Sequence, residues 1–333
     1  MKNRLFQLLL GALISAVTLY AAFYGMDLST ITNILSSVNW WWLVPTTVVM
    51  VLSHYVRAWR WRLFFGHDAE SDRLYPYFSS TMVGYAVNNA LPRGGELAKA
   101  IYLGRMTNRS QTHVLGTVVL ERLIDSLILL VVFGLSMLWF SEDIDRHFPG
   151  LGVGAGVLTV SLVGMLLVLT LLPVEKSKVL IHWFTRWLGS RLSAKIGDLS
   201  GRFLEGVSAL RNGHFLPAIL VSSLLIFLLY IAGTWLPMFA FPFQQSANLG
   251  FPAGMAVMAI AAIGMVIPSP GGTGTYHWFC SMALIQIFGV NQAEAVSFAT
   301  LVHLLNLGFS TLAGAGCFLF DQAHRTTGPV ESA

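Results

Sequence analysis

The sequence predicts an all-α polytopic integral membrane protein, an inverted-topology repeat of about six full spans and two re-entrant helical hairpins. Three observations carry that expectation. Of the 333 residues, 55% are hydrophobic and 11% charged, at a mean hydropathy of +0.67, whereas a soluble domain has roughly 25% charged residues. Apolar runs of about 20 residues recur along the chain, the length at which a helix crosses the hydrocarbon core. Two apolar stretches are broken in the middle, at NNALPRGGELAKA (88–100) and IPSPGGTGTY (267–276). Irregular backbone at membrane depth survives only inside protein or along a cavity, so these breaks are the expected functional centre.

The first span is expected at 5–24, after a basic flank; no small-residue cleavage site follows, so it reads as a retained helix rather than a signal peptide. Further spans are expected at 41–64, 113–140, 151–173, 215–240 and 297–320, with the interrupted stretches at 74–106 and 251–289. Basic residues concentrate in 57–109 and in the segment 174–214, which places both on the cytoplasmic side. Lys2 and Arg4 put the N-terminus there too, while Asp27, Glu142, Asp143 and Asp145 put the loops 25–40 and 141–150 outside. Stretch 74–106 thus begins and ends in cytoplasmic sequence and must enter and return, with its tip at Pro92, Arg93, Gly94 and Gly95. Stretch 251–289 must dip from outside if the chain is to return to the cytoplasm at Arg325, with its tip at Pro268 to Gly274. Each half then has three crossings, so the second repeat (141–320) is inserted upside down relative to the first (1–140), and the tips meet near the bilayer midplane. A cytoplasmic tail, 321–333, follows. If both interrupted stretches are instead full helical hairpins, the count becomes 8–10 spans and both motifs still lie inside protein. The apolar spacing within 174–214 predicts amphipathic helices on the headgroups.

In the first hairpin, Asn88, Asn89, Arg93 and Glu96 crowd around Pro92 and Gly94-Gly95. Proline ends the preceding helix, and freed amides at the start of the next, near 95, offer an anion-friendly terminus. Arg93 has the geometry to fork onto a phosphate. Glu96 is expected to hold it or accept a proton; the scaffold alternative pairs the two at i,i+3. Glu121 and Asp125 share a face of the third span with Arg122 offset by about 100°, an arrangement equally suited to an interhelical clamp and to substrate contact. In the second hairpin, Ser269, Thr273, Thr275, Tyr276 and His277 accompany Pro268, Pro270, Gly271, Gly272 and Gly274, so backbone amides and hydroxyls suit a phosphate or an ion. His277, beside Trp278, has a structural reading that outweighs a catalytic one, and His303 and Asn306 are expected to bond between helices. Arg57, Arg60 and Trp61 of RAWRWRLF alternate as in a headgroup-level belt.

No Walker loop, HExxH, GxSxG or nucleotide-binding βαβ pattern occurs, and no catalytic residue, cofactor or metal site is assigned. Cys280 and Cys317 lack metal-ligand spacing and read as small buried hydrophobes. The net charge of +4 and pI near 9.2 follow from loop topology rather than from nucleic-acid binding.

Taken together, RAWRW at 57–61, NNALPRGGELAKAIYLGR at 88–105, ERLID at 121–125 and PSPGGTGTYH at 268–277 resemble the lysylphosphatidylglycerol synthase transmembrane-region family of flippase-like domains. The resemblance spans nearly the whole chain and carries over to Asn89, Pro92, Arg93, Gly94, Glu96, Glu121, Arg122, Asp125, Pro270, Gly271, Gly272 and Gly274. It implies a prokaryotic cytoplasmic (inner) membrane protein whose partners are membrane lipids with an anionic headgroup. Better-known members of the family flip aminoacylated phosphatidylglycerol, and related chains are associated with polyprenyl-phosphate or glycolipid handling. On that basis the expected function is a flippase for a phosphate-containing lipid, in which Arg93 and Arg122 bind the phosphate and Glu96, Glu121 and Asp125 orient the arginines. The alternatives are a membrane-embedded transferase on a lipid-linked substrate and a non-transporting accessory subunit. Lysine transfer is not expected of these 333 residues, which read as membrane region throughout, and His277 stands where many relatives have an acid. The oligomeric state is left open.

Overall fold

A computed structural model of the chain describes residues 2–171 and 214–326, and every regular element among them is helical. The amphipathic helices expected over 174–214 lie outside the described residues but for His214. The helices are α1 (Lys2–Phe23), α2 (Leu28–Ser37), α3 (Leu43–Leu63), α4 (Tyr75–Ala90), α5 (Gly95–Met106), α6 (Gln111–His147), α7 (Leu151–Leu171), α8 (Leu216–Trp235), α9 (Phe243–Ala247), α10 (Phe251–Gly264), α11 (Thr275–Phe288) and α12 (Gln292–Thr326). Among the described residues, α6, α8 with its 3-10 extension to Ala240, and α12 are long and apolar enough to cross a membrane. The pair α2–α3, bent by 74°, makes a fourth if it counts as one span, and shorter apolar helices occupy 9–23, 151–164 and 251–264.

The stretch expected as the loop 25–40 contains a helix, α2. Asp27, used above as a topology charge, is its N-cap: the Ser29 amide donates to Asp27 Oδ1 at 3.0 Å. That bond satisfies one of the otherwise orphaned first-turn donors and holds the carboxyl below its ordinary range.

Both interrupted stretches fold as helical hairpins, α4–α5 and α10–α11, each with its two helices packed together. The first turns at Pro92, whose ring drives Leu91 to an extended backbone (φ −124°, ψ 108°) and ends α4. The helices then approach so closely that a Cβ on Gly95 would collide with the Gly84 carbonyl. The second turns through Gly271, Gly272 and Gly274, all at positive φ (57°, 76° and 88°), a region that only glycine enters without strain. A Cβ on Gly274 would also strike Thr18 Oγ1 and the Ser15 carbonyl of α1.

The segments 1–140 and 141–320 pack against each other through two buried clusters. Helix α8 packs on α3, α4 packs on α12, and α10 packs on α6. One buried cluster joins α6, α8, α10, α11 and α12 around Phe133, Phe241 and Phe298. A second joins α3 to α6 and α8 around Trp61, Tyr77 and Leu103, with the rings of Trp61 and Tyr77 edge-to-face at 5.7 Å.

A cavity between the hairpins beside a buried ionic cluster

The hairpin tips meet. Arg93 adopts a left-handed backbone (φ 60°), a conformation that costs a non-glycine residue on the order of 1–3 kcal/mol. Its Nη2 crosses to the other hairpin and donates to the Val266 carbonyl at 3.0 Å. Asn89 lies against Gly271, and its Nδ2 donates to Ser310 Oγ at 3.0 Å and Thr311 Oγ1 at 2.8 Å, tying the first tip to α12. Asn88 caps α5: its Oδ1 accepts from the Gly95 amide at 2.8 Å. The helix terminus expected to face an anion has therefore given its first amide to Asn88. Pro92 reaches α1, where a Cβ on Gly11 would meet Pro92 and the Pro268 carbonyl.

Behind the tips, α3, α5 and α6 converge on a buried ionic cluster. Glu121 is completely buried; its Oε1 lies 2.7 Å from Arg57 Nε, as an ion pair not aligned for a hydrogen bond, and its Oε2 accepts from Lys99 Nζ at 2.6 Å. Asp125 accepts from Arg57 Nη2 at 2.6 Å and from Arg60 Nη2 at 2.5 Å. The other guanidinium nitrogens donate across to α8, Arg57 Nη1 to Tyr230 OH at 2.7 Å and Arg60 Nη1 to Ser223 Oγ at 3.0 Å. Lys99 Nζ also sits 3.9 Å from the Trp61 ring centre, and Trp61 Nε1 donates to Thr117 Oγ1 at 2.9 Å. Charges taken out of water persist only with this density of partners.

This corrects the reading of RAWRW as a headgroup belt. Arg57, Arg60 and Trp61 are buried in protein, at 3%, 0% and 0% exposure, because α6 presents Glu121 and Asp125 to the i,i+3 pair Arg57 and Arg60. It also reassigns the carboxylates. Glu121 and Asp125 serve Arg57, Arg60 and Lys99, not Arg93, and Glu96 lies 3.7 Å from Arg122 Nε rather than pairing with Arg93. Lys99, Tyr85, His54 and Tyr230 were not singled out from the sequence as site residues. The one signal that would have found the cluster is the match of basic residues at i,i+3 in one span with acids at i,i+4 in another.

Between this cluster and the tips lies a cavity of about 560 Å³, within the usual range for a ligand site. Arg93, Glu96 and Arg122 reach it, with Arg57 behind them; Tyr85, His54, Tyr276 and His303 form an aromatic wall, and Met258, Met265 and Ile267 an apolar one. The Arg122 side chain is 40% exposed although it sits deep in the fold, because its open face is the cavity. Asn88, Asn89, Pro92, Pro268, Ser269, Gly271 and Gly272 also border this space. The hydroxyls of the second tip close on themselves: Ser269 Oγ and Thr275 Oγ1 share a hydrogen bond at 2.9 Å, and Thr275 Oγ1 donates to the Gly272 carbonyl at 3.1 Å. Thr273 is not among the cavity-lining residues, and neither is His277, whose Nδ1 accepts from the Gly274 amide at 3.3 Å and so caps α11. Gly94 and Pro270 shape the turns.

The family described as the lysylphosphatidylglycerol synthase TM region matches residues 8–314, which include both hairpins and the ionic cluster. The chain belongs to that family. As a member of the lysylphosphatidylglycerol synthase TM family it is a multi-pass membrane protein related to lipid modification or flipping, and it interacts with membrane lipids. No curated protein and no solved structure matches the chain.

Proposed function

We propose that the protein is a flippase that moves an anionic, phosphate-containing lipid between leaflets, with the headgroup held in the cavity between the two hairpins. The observation that carries this reading is the charge on the cavity. Arg57, Arg93 and Arg122 line it against Glu96 alone, a surplus of two cations, and in the cluster behind it Arg60 and Lys99 are balanced by Asp125 and Glu121. Glu121 and Asp125 are engaged with Arg57, Arg60 and Lys99, and among the described residues the ion pair of Arg122 is a longer one, 3.7 Å to Glu96. Arg122 and Arg93 are the cations that bind the phosphate. Arg57 and its carboxylates hold the wall rigid behind them.

The chain sits in this reading in the prokaryotic inner membrane with both termini cytoplasmic, and the two hairpins are re-entrant. The reciprocal packing of α4 on α12 and α10 on α6 supports an inverted repeat, since exchanging the halves converts one contact into the other. Alternating access is a rocking of the halves that breaks the bond from Arg93 to Val266. The phosphate and the Val266 carbonyl compete for Arg93, which couples loading to opening.

The test is translocation of fluorescent phosphatidylglycerol in proteoliposomes, read by quenching from outside. Wild type is expected to translocate and Arg122→Gln to lose at least about tenfold, as loss of a charge-assisted hydrogen bond predicts. Equal translocation by the two overturns the assignment. A chemically altered lipid in mass spectra of the same vesicles would favour a transferase.

A further inference from the structure

We infer that the cavity contains a second subsite, built by His54 and His303, that binds uncharged hydroxyl groups carried on the substrate's phosphate. The preferred headgroup is then an anionic phosphodiester bearing a polyol or sugar rather than an ammonium group. This rests on the anionic-lipid reading above and narrows its substrate class.

His54 lies on α3 one turn from Arg57, lines the cavity and is only 5% exposed, yet neither of its ring nitrogens has a hydrogen-bond partner among the described residues. Phe309 stacks on the ring at 5.7 Å with planes 3° apart, and Tyr85 sits 5.2 Å away. Stacking occupies a face of the imidazole and leaves the nitrogen-bearing edge. His303 lines the same cavity at 6% exposure, stacked on Tyr276 at 5.1 Å, and its Nε2 is also without a partner among the described residues. A buried polar group left unpaired costs about 1–3 kcal/mol, and three such nitrogens on one cavity mark groups that a ligand satisfies. A neutral imidazole offers one donor and one acceptor. A hydroxyl, itself both donor and acceptor, answers that pair. An ammonium has donors only and cannot answer an imidazole's N–H, and the carboxylates that would pair with its charge are engaged: Glu121 and Asp125 are enclosed by Arg57, Arg60 and Lys99, and Glu96 faces Arg122.

The full chain in nanodiscs of neutral phosphatidylcholine tests this by titration with three lipids of equal acyl chains: phosphatidylglycerol, phosphatidylmethanol and phosphatidylethanolamine. Wild type is expected to bind phosphatidylglycerol about tenfold more tightly than phosphatidylmethanol, which has the same charge and no hydroxyl, with phosphatidylethanolamine weakest; tenfold is 1.4 kcal/mol. His54→Phe combined with His303→Phe should erase the preference for phosphatidylglycerol over phosphatidylmethanol. Equal wild-type affinity for phosphatidylglycerol and phosphatidylmethanol overturns the inference without any variant having to fold, and tight phosphatidylethanolamine binding overturns its charge component. Failure of the underlying reading is separable. If Arg122→Gln leaves phosphatidylmethanol binding intact, the cationic site is wrong. If free glycerol 3-phosphate binds with dependence on His54 and His303 while phosphatidylglycerol does not, the subsite stands and the lipid assignment falls.

Discussion

Replacing Asp125 with asparagine isolates what the ionic cluster contributes. In the wild type the two carboxylate oxygens each take one guanidinium, Arg60 at 2.5 Å and Arg57 at 2.6 Å. The losses are unequal. Arg57 keeps Glu121 at 2.7 Å, whereas the nearest remaining carboxylate to Arg60, also Glu121, is 3.7 Å away, and Arg60 is wholly buried. An uncompensated buried charge costs roughly 3–5 kcal/mol, so Asp125→Asn should destabilise the protein by about that amount, measured as SDS-unfolding free energy in mixed micelles. Adding Arg60→Gln should recover at least about 2 kcal/mol of the loss, because the charge left unpaired is then gone. A loss below about 1 kcal/mol for Asp125→Asn, or a double variant no better than the single, would refute the argument that Asp125 is there to neutralise Arg60.

Other outcomes follow from local geometry. Arg93→Gly relieves the left-handed backbone while Arg93→Ala keeps it, so in unfolding measurements the glycine variant should be more stable than the alanine variant by about 1 kcal/mol, and both should lose translocation. Gly274→Ala, at φ 88° and facing Thr18 and Ser15, should cost more than about 2 kcal/mol and reduce expression of folded protein, visible by size-exclusion chromatography. Asp72, in the turn between α3 and α4, is pushed up by partial burial, but the bonds it accepts from Arg109 and Tyr77 outweigh that and hold it below its ordinary 3.8. A depressed folded-state value means stability that is present above the ordinary carboxylate range and lost as pH falls through the folded value. Thermal stability should therefore decline below about pH 4, and Asp72→Asn should flatten that part of the profile.

The positions of the helix breaks were legible because proline and glycine act through their own backbones: Pro92 ends α4 without help from any neighbour, and Gly271, Gly272 and Gly274 mark a turn whatever packs around it. The presence of ionisable groups on α6 was legible for a similar reason, since charge inside an apolar run stands out locally. Their partners were not. Glu121 can be placed on a helix face from its spacing to Asp125, but whether that face meets Arg93, Arg57 or Lys99 depends on how α3, α5 and α6 cross. Arg57 and Arg60 fit an interfacial belt equally well by composition, and His54 gives no local signal, lying in an ordinary span.

Class, family and the two Pro/Gly interruptions were thus determined by the sequence alone, because hydropathy, family motifs and backbone freedom are properties of short stretches of chain. Which cation answers which carboxylate, that Asn88 rather than an anion caps α5, and that the broken tips enclose a cavity with a cationic wall were decided only by the tertiary structure. Side-chain partnership depends on distances of a few ångströms between residues as far apart as Asn89 and Thr311, 222 positions along the chain. No local pattern carries that distance.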